Sequence, residues 1–293
     1  MQKIKILLSS QKYKYVASIF ESLASKPYAI IKGEPLSLFA YGEFGKRHMG
    51  DIDLLISRKD LYYLENLLLE DGFQATLQSR KDKIMMLSSA HQISPYIKEI
   101  PPYKNVILDI NFDIFWGEYE GKRIDIDEFL SDTIELDIFG YKTKTLIPLK
   151  AMVQLILHLY KDMNSLYMLA TRGVYSVIAL KDVYYLLKRN VNVLSVDNLY
   201  NISEQYDIIS YVYYVLYYVS VIIKDPFLDV YIKAFKTKKG EYLLNCYGLN
   251  DSERHEWKVD ILTRFKSDNV YELIKDDLTD KDKRKIEINR KVF

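Results

Sequence analysis

Two kinds of hydrophobic pattern divide this chain. As far as residue 146, short apolar runs typical of strands alternate with amphipathic stretches typical of helices. From Pro148 onward, apolar residues recur at helical spacing without a strand signal. The pattern predicts an α+β fold in which a mixed β-sheet with flanking helices is followed by an α-helical bundle. The expected domains are a sheet domain over 1–146, a helical domain over 147–250 and a charged C-terminal helix or tail over 251–293.

The first part of the chain contains the separate strand and helix signals. An amphipathic opening helix is expected to end before Pro27, and two further helices are expected over 34–40 and 61–69. The expected strands are short apolar or alternating runs at 28–31, 51–57, 73–79, 84–87 and 105–116, followed by a hairpin of 133–139 and 141–147 around Gly140.

Composition and charge exclude several classes of protein. The 293 residues carry 41 Lys and Arg against 40 Asp and Glu, which argues against a protein that binds nucleic acid mainly through electrostatics. With 49% hydrophobic and 28% charged residues, a mainly disordered chain is excluded. Cys246 is the single cysteine, which excludes an intramolecular disulfide and fits a cytoplasmic location. The longest uncharged run, over 208–223, is shorter than the roughly 20 residues that cross a bilayer, so we expect a buried helix there and no membrane span.

The segment Gly50-Asp51-Ile52-Asp53 is the first candidate for chemistry. Successive side chains of a strand point to opposite faces, so Asp51 and Asp53 project together while Ile52 and Leu54 face the core. Two carboxylates on one face can share a hard cation such as Mg²⁺, which prefers oxygen ligands. A strand end with two solvated carboxylates has the same pattern, and on this segment alone both interpretations stay open.

A third carboxylate, Asp109, lies in the middle of the strand expected over 105–116. Counting with a period of two places it on a polar face, opposite a fully apolar one. A carboxylate in such a strand is costly unless it is solvated, paired or bound to a metal. If this strand is the neighbour of the Asp51–Asp53 strand, the three carboxylates form the kind of cluster that two-metal phosphoryl or nucleotidyl transfer needs.

Several residues are candidates for binding phosphate. Lys32 and Gly33 end a strand just before a helix, where a glycine lets backbone N–H groups approach phosphate oxygens closely. Lys32 could neutralise phosphate charge, or be a plain strand-end lysine. Arg47 could bind a phosphate as a bidentate fork, or be a surface loop residue. Lys181 lies on a helix of the second half, where packing at the edge of the core is the alternative to a contact with phosphate.

Taken in order, these motifs resemble the nucleotidyltransferase fold of the DNA polymerase β type. They read IIKGEPL over 30–36, RHMGDIDLL over 47–55 and LDINF over 108–112. Within that superfamily the chain is most similar to the bacterial "uncharacterised nucleotidyltransferase" family. The resemblance covers roughly residues 1–190 and includes LKAMVQLILHLYKD and ALKDVYYLLKR, which are similar to the helical part of that family.

The resemblance implies an enzyme that uses Mg²⁺ or Mn²⁺ to move an NMP group from an NTP, such as ATP, to an acceptor. The resemblance does not identify the acceptor, for which a small molecule, a peptide and a protein hydroxyl stay open. The implied catalytic and metal-binding residues are Asp51, Asp53 and Asp109, and the implied nucleotide-binding residues are Lys32, Gly33, Arg47 and Lys181.

Two alternatives stay open. Glu34 stands where the family commonly has glycine or serine, and an acid beside a triphosphate would repel it. That difference favours a catalytically impaired module that binds a nucleotide or a partner. The second alternative is a toxin-like member that modifies tRNA, although the near-zero net charge makes nucleic acid an unfavoured partner. The tyrosine-rich helices of the second half could also form a homodimer.

Overall fold

The computed structural model of the protein describes residues 2–47, 49–77, 79–101 and 105–292. It divides into two compact units, each made of several stretches of chain. The first unit comprises Met1–Gly117, Ile124–Met152 and Tyr185–Val193, and the second comprises Glu118–Arg123, Val153–Tyr184 and Leu194–Phe293. The sequence-based domain boundaries at 146/147 and 250/251 stay predictions.

A seven-stranded mixed sheet forms the first unit's framework. Its strands are β1 (Tyr28–Ile31), β2 (Ile52–Ile56), β3 (Gln74–Ala75), β4 (Tyr96–Lys98), β5 (Val106–Asn111), β6 (Thr133–Ile138) and β7 (Tyr141–Leu146). Their spatial order is β3-β4-β5-β2-β1-β7-β6. Strand β2 runs antiparallel to β1 and parallel to β5. The strands that carry the predicted carboxylates are therefore direct neighbours.

The helices of the first half precede or connect these strands. They are α1 (Gln2–Ser22), α2 (Gly33–Tyr41), α3 (Leu61–Glu70), α4 (Arg80–Ser89) and α5 (Ile126–Phe129), with a 3₁₀ turn at Arg58–Asp60. Helices α1 and α3 supply apolar side chains to a core shared with one face of the sheet. From α1, β2 and β5 this core contains Tyr13, Val16, Phe20, Ile52, Leu54, Val106, Leu108 and Ile110. Asp53 and Asp109 lie between fully buried residues of β2 and β5 and are less buried than those neighbours, as strand alternation predicts.

The hairpin predicted around Gly140 is confirmed. Strands β6 and β7 pair antiparallel with Ile138 opposite Tyr141, so Phe139 and Gly140 form a two-residue turn. Their φ angles are 57° and 88°. A two-residue turn with positive φ at both positions matches the twist of the flanking strands, and glycine adopts that conformation without strain.

The strand predicted over 84–87 is wrong, because these residues belong to helix α4. A run of four apolar residues is too short for its period to separate a strand from a helix, and the Met and Leu residues within the run, with the Lys residues before it, favour a helix. The extended segment in this region is β4, which pairs antiparallel with β5. Of the strand predicted over 73–79, the described residues form only the two residues of β3, and position 78 lies outside the described residues.

The second half is helical, as its pattern predicts. Its helices are α6 (Pro148–Asn164), α7 (Leu166–Arg172), α8 (Val177–Arg189), α9 (Val196–Gln205), α10 (Ile209–Ile223), α11 (Asp229–Phe235), α12 (Lys238–Leu244), α13 (Ile261–Lys266) and α14 (Asp280–Val292). Three 3₁₀ turns lie at Pro226–Leu228, Asp251–Glu253 and Val270–Leu273, and a short ribbon pairs β8 (Cys246–Tyr247) with β9 (His255–Glu256).

Tyrosines fill much of the second unit's core. The rings of Tyr160 and Tyr214 lie 5.0 Å apart and those of Tyr214 and Tyr218 lie 4.7 Å apart. The buried guanidinium of Arg264 donates to the Tyr218 hydroxyl at 2.7 Å. Helix α10 accounts for the uncharged run and is largely buried, which confirms that prediction. In the described part of the chain, no helix combines the length and the apolar character that a membrane crossing needs.

Candidate active site

A strained turn joins β1 to α2. Lys32 has φ 60° and ψ −139°, and Gly33 has φ 46°. A Cβ on Gly33 would lie 3.1 Å from the sulfur of Met49, so a larger residue would press against that side chain as well as strain the backbone. A non-glycine residue in such a conformation costs on the order of 1–3 kcal/mol and is typical of functional sites. The chain therefore keeps Lys32 in an unfavourable conformation beside a tightly packed glycine.

The side chain of Lys32 bonds to a predicted carboxylate. Its Nζ lies 2.9 Å from Oδ1 of Asp53, and the two side chains are only 10% and 12% exposed. The sheet explains this contact, because Ile31 at the end of β1 is the register partner of Asp53 in β2. The structure thus brings together the turn that was predicted to bind phosphate and the strand that was predicted to bind metal.

Asp109 lies beside Asp53. The two are register partners in the parallel pairing of β2 with β5, and neighbouring strands lie about 4.8 Å apart. Asp51 directly precedes the first residue of β2. Within residues 2–47, 49–77, 79–101 and 105–292, no group of three or more His, Cys, Asp or Glu side chains is arranged to hold a metal ion by itself. The arrangement is therefore a pair of neighbouring carboxylates at one register position, with Asp51 close in sequence.

Glu34, the acid in the turn, is directed into the protein. Its side chain is completely buried, and its Oε2 accepts the backbone N–H of Gly45 at 2.8 Å. Its other oxygen, Oε1, is buried, and no residue in the described part of the chain forms a hydrogen bond with it. Glu34 thus ties α2 to the loop that follows it, and this contact gives the acid a structural reason to be there.

Ser37 adds further contacts between α2 and the same loop. Its Oγ donates to the carbonyl of Glu43 at 2.8 Å and accepts the backbone N–H groups of Lys46 at 3.1 Å and Arg47 at 3.3 Å. The backbone of Arg47 is therefore fixed, and its side chain is half-buried. Whether that side chain binds phosphate stays a prediction.

Tyr13 of α1 is a buried tyrosine within electrostatic reach of Glu34 and Asp53. Its hydroxyl is buried and has no hydrogen-bond partner among the described residues. Burial, followed by the charges of Glu34 and Asp53, raises the pKa of Tyr13 well above its usual value of 10.0. The phenol therefore stays neutral.

Lys181 lies in the portion of α8 that belongs to the second unit and is exposed. Its contact with a nucleotide stays a prediction. Sequence analysis missed Lys12, whose Nζ reaches the carbonyl oxygens of Met49 and Gly50 from α1. No pattern in the sequence connects residues 37 and 38 positions apart in this way.

Comparison with known proteins places the chain among nucleotidyltransferases. A family model described as an uncharacterised nucleotidyltransferase matches residues 7–223. No curated protein matches. Among solved structures, an antigenic nucleotidyltransferase-like protein from Paracoccidioides brasiliensis is 17% identical over 76% of this chain and 92% of that chain, with a TM-score of 0.39. The antibiotic-resistance factor ANT(2'')-Ia is 12% identical over 71% of this chain and 95% of that chain, also with a TM-score of 0.39. These two likenesses are too distant to transfer a function to this chain.

Proposed function

Because the chain belongs to the uncharacterised nucleotidyltransferase family, we propose that it transfers an NMP group from an NTP to an acceptor hydroxyl in a metal-dependent reaction. The observation that carries this proposal is the register pairing of Asp53 with Asp109, next to the Lys32–Gly33 turn. The turn can receive phosphates, and the carboxylates can receive the cation that accompanies them.

The donor set suits Mg²⁺ or Mn²⁺. Mg²⁺ usually takes one or two protein carboxylates and completes its shell with water and substrate phosphates, so a preformed cage of three protein ligands is not required. The Lys32 ammonium on Oδ1 of Asp53 shows that this carboxylate already accepts a positive charge. In the bound state Asp51, Asp53 and Asp109 would hold the ion, which would supply charge neutralisation and a more acidic acceptor hydroxyl.

The protein's own side chains then have defined roles. The acceptor oxygen attacks the α-phosphorus of the NTP, a new P–O bond forms, the bond to the β-phosphate oxygen breaks, and pyrophosphate leaves. Asp109 would take the proton of the acceptor hydroxyl. Lys32, Gly33 and Arg47 would hold the triphosphate, and Lys181 would add a positive charge from the helical half.

A thermal-shift screen tests the proposal. The intact chain is heated with ATP, GTP, CTP or UTP in the presence of Mg²⁺, Mn²⁺ or EDTA. A ligand at about 100 times its Kd stabilises the native state by roughly 2.7 kcal/mol. We expect at least one NTP to raise the melting temperature only when metal is present, and the Asp51→Asn/Asp53→Asn variant to lose this response.

Lys142→Met is the matched control, because Lys142 is 77% exposed in a surface ion pair. It should respond as the wild type does. A wild-type protein that binds no NTP with either metal, or a double variant that keeps the full response, would contradict the proposal. Metal-independent nucleotide binding would instead support the catalytically impaired module.

A further inference from the structure

Asp51 lies in the short segment before β2, where Gly50 is exposed to solvent. Strand β2 begins only at Ile52, and the two preceding residues form a bend. Gly50 is exposed, and a Cβ built on it would meet no atom within 4 Å. Side-chain packing at Gly50 therefore contributes nothing to the position of the carboxylate that follows.

Two residues, Met49 and Lys12, hold this segment in place. Met49 is buried, and its sulfur packs against Gly33. From α1, the Nζ of Lys12 donates to the carbonyl oxygen of Met49 at 3.2 Å and to that of Gly50 at 2.5 Å. These carbonyls belong to the two peptide units that flank Gly50, so one ammonium group holds both. A charged donor makes stronger hydrogen bonds than a neutral one.

We propose that Lys12 is a positioning residue that fixes the two peptide units flanking Gly50 and so sets the direction in which Asp51 enters the site. Lys12 is half-buried and its Nζ donates to the two backbone oxygen atoms that precede Asp51, so the role that we assign to it acts through Asp51. The consequence for metal binding rests on the proposed function, whereas the fixing of the segment does not.

Hydrogen–deuterium exchange of the intact chain without nucleotide tests whether Lys12 fixes the segment before Asp51. Lys12→Met keeps the aliphatic stem and removes the donor, and Lys12→Arg keeps a cationic donor. We expect the peptide that covers residues 49–53 to exchange about tenfold faster in Lys12→Met, which is the order expected when bonds from a charged donor are lost. Lys12→Arg should stay close to the wild type. Lys14→Met is the matched control, because Lys14 is exposed on the same helix.

The second measurement is the Mg²⁺ concentration that gives half of the nucleotide-dependent thermal shift. In Lys12→Met it should rise about tenfold, with the shift at saturating Mg²⁺ retained, because the ligands are still present but less well placed. Unchanged exchange in Lys12→Met, or the same acceleration in Lys14→Met, would overturn the inference. Faster exchange at 49–53 in a protein whose wild type shows no metal-dependent shift would support Lys12 as the fixing residue and refute the proposed function.

Discussion

Two groups of charged side chains in this protein surround their carboxylates differently. In the first unit, Asp53 and Asp109 meet at one register position of the sheet, and Lys32 binds Asp53. In the second unit, Asp162 at the end of α6 is reached by three basic side chains. His158 lies 3.3 Å from it, Lys161 lies 3.5 Å from it, and Arg172 donates to it from α7.

The pKa of Asp162 shows what the second arrangement achieves. Burial alone would raise this pKa, but the charges of His158, Lys161 and Arg172 hold it well below its usual value of 3.8. In the second cluster, which we call the α6 cluster (Asp162 with His158, Lys161 and Arg172), three basic side chains share one carboxylate and stabilise its charged form. Neighbouring carboxylates such as Asp53 and Asp109 raise the cost of each other's charge. Asp162 is thus surrounded by basic groups, as a structural carboxylate is, whereas the neighbouring carboxylates of β2 and β5 form the arrangement that we propose receives a ligand.

The largest stability effect is expected in the α6 cluster. Asp162→Asn leaves three basic groups without their shared carboxylate and should lower the free energy of unfolding at neutral pH by about 2–3 kcal/mol. Because the folded pKa of Asp162 is depressed, its contribution is present above its usual value of 3.8 and is lost as the pH falls through the lower folded value. Urea unfolding over a pH series checks this. The difference between variant and wild type should shrink in acid, and a constant difference would contradict it. Asp268→Asn, at an exposed position, is the control.

A smaller effect is expected for Lys32→Met. Removal of the ammonium leaves Asp53 beside Asp109 without its ion-pair partner, and the free energy of unfolding should fall by about 1 kcal/mol. Added Mg²⁺ should restore most of that loss without any nucleotide, since the ion can take the place of the ammonium. Calorimetric melting with and without Mg²⁺ measures both the loss of stability and its recovery by the ion. In an Asp53→Asn background the same substitution should have little effect, and an equal loss there would show that the ion pair is not the cause.

The smallest effect on stability is expected for Asp109→Asn. The free energy of unfolding should change by less than about 0.5 kcal/mol, because the substitution removes a like charge beside Asp53 and keeps a polar side chain of the same size. Asn111, two residues along the same strand, shows that an amide fits on this face. The same variant should lose the metal-dependent response to NTP. A variant that is destabilised in urea, while Asp268→Asn is neutral, would mean that Asp109 is a structural residue like Asp162.

The strands that build the site could be predicted because each has a strong local signal. The runs YAII and VILDIN are rich in β-branched residues, and β2 alternates before it becomes fully apolar. The pairing of β2 with β5 could be stated only as a condition, since strand order depends on contacts between distant residues. The run over 84–87 failed because four residues carry no usable period. The two-residue strands β8 and β9 gave no signal for the same reason.

The candidate site was less accessible to sequence analysis than the strands. Glu34 suggested repulsion of phosphate, yet its side chain is directed at Gly45, and a sequence specifies the side chain but not its direction. The contact of Lys12 with the segment before Asp51 joins a helix to a bend across 37 and 38 residues. Only the folded arrangement of α1 on the sheet makes that contact possible. The roles of Arg47 and Lys181 stay predictions.

The turn at Lys32 also bears on how relatives of this chain can be compared. Its backbone conformation suits glycine far better than lysine. A lysine at the matching position of a relative would carry the same backbone cost, so we expect it only where a positive charge is needed beside the carboxylate that matches Asp53.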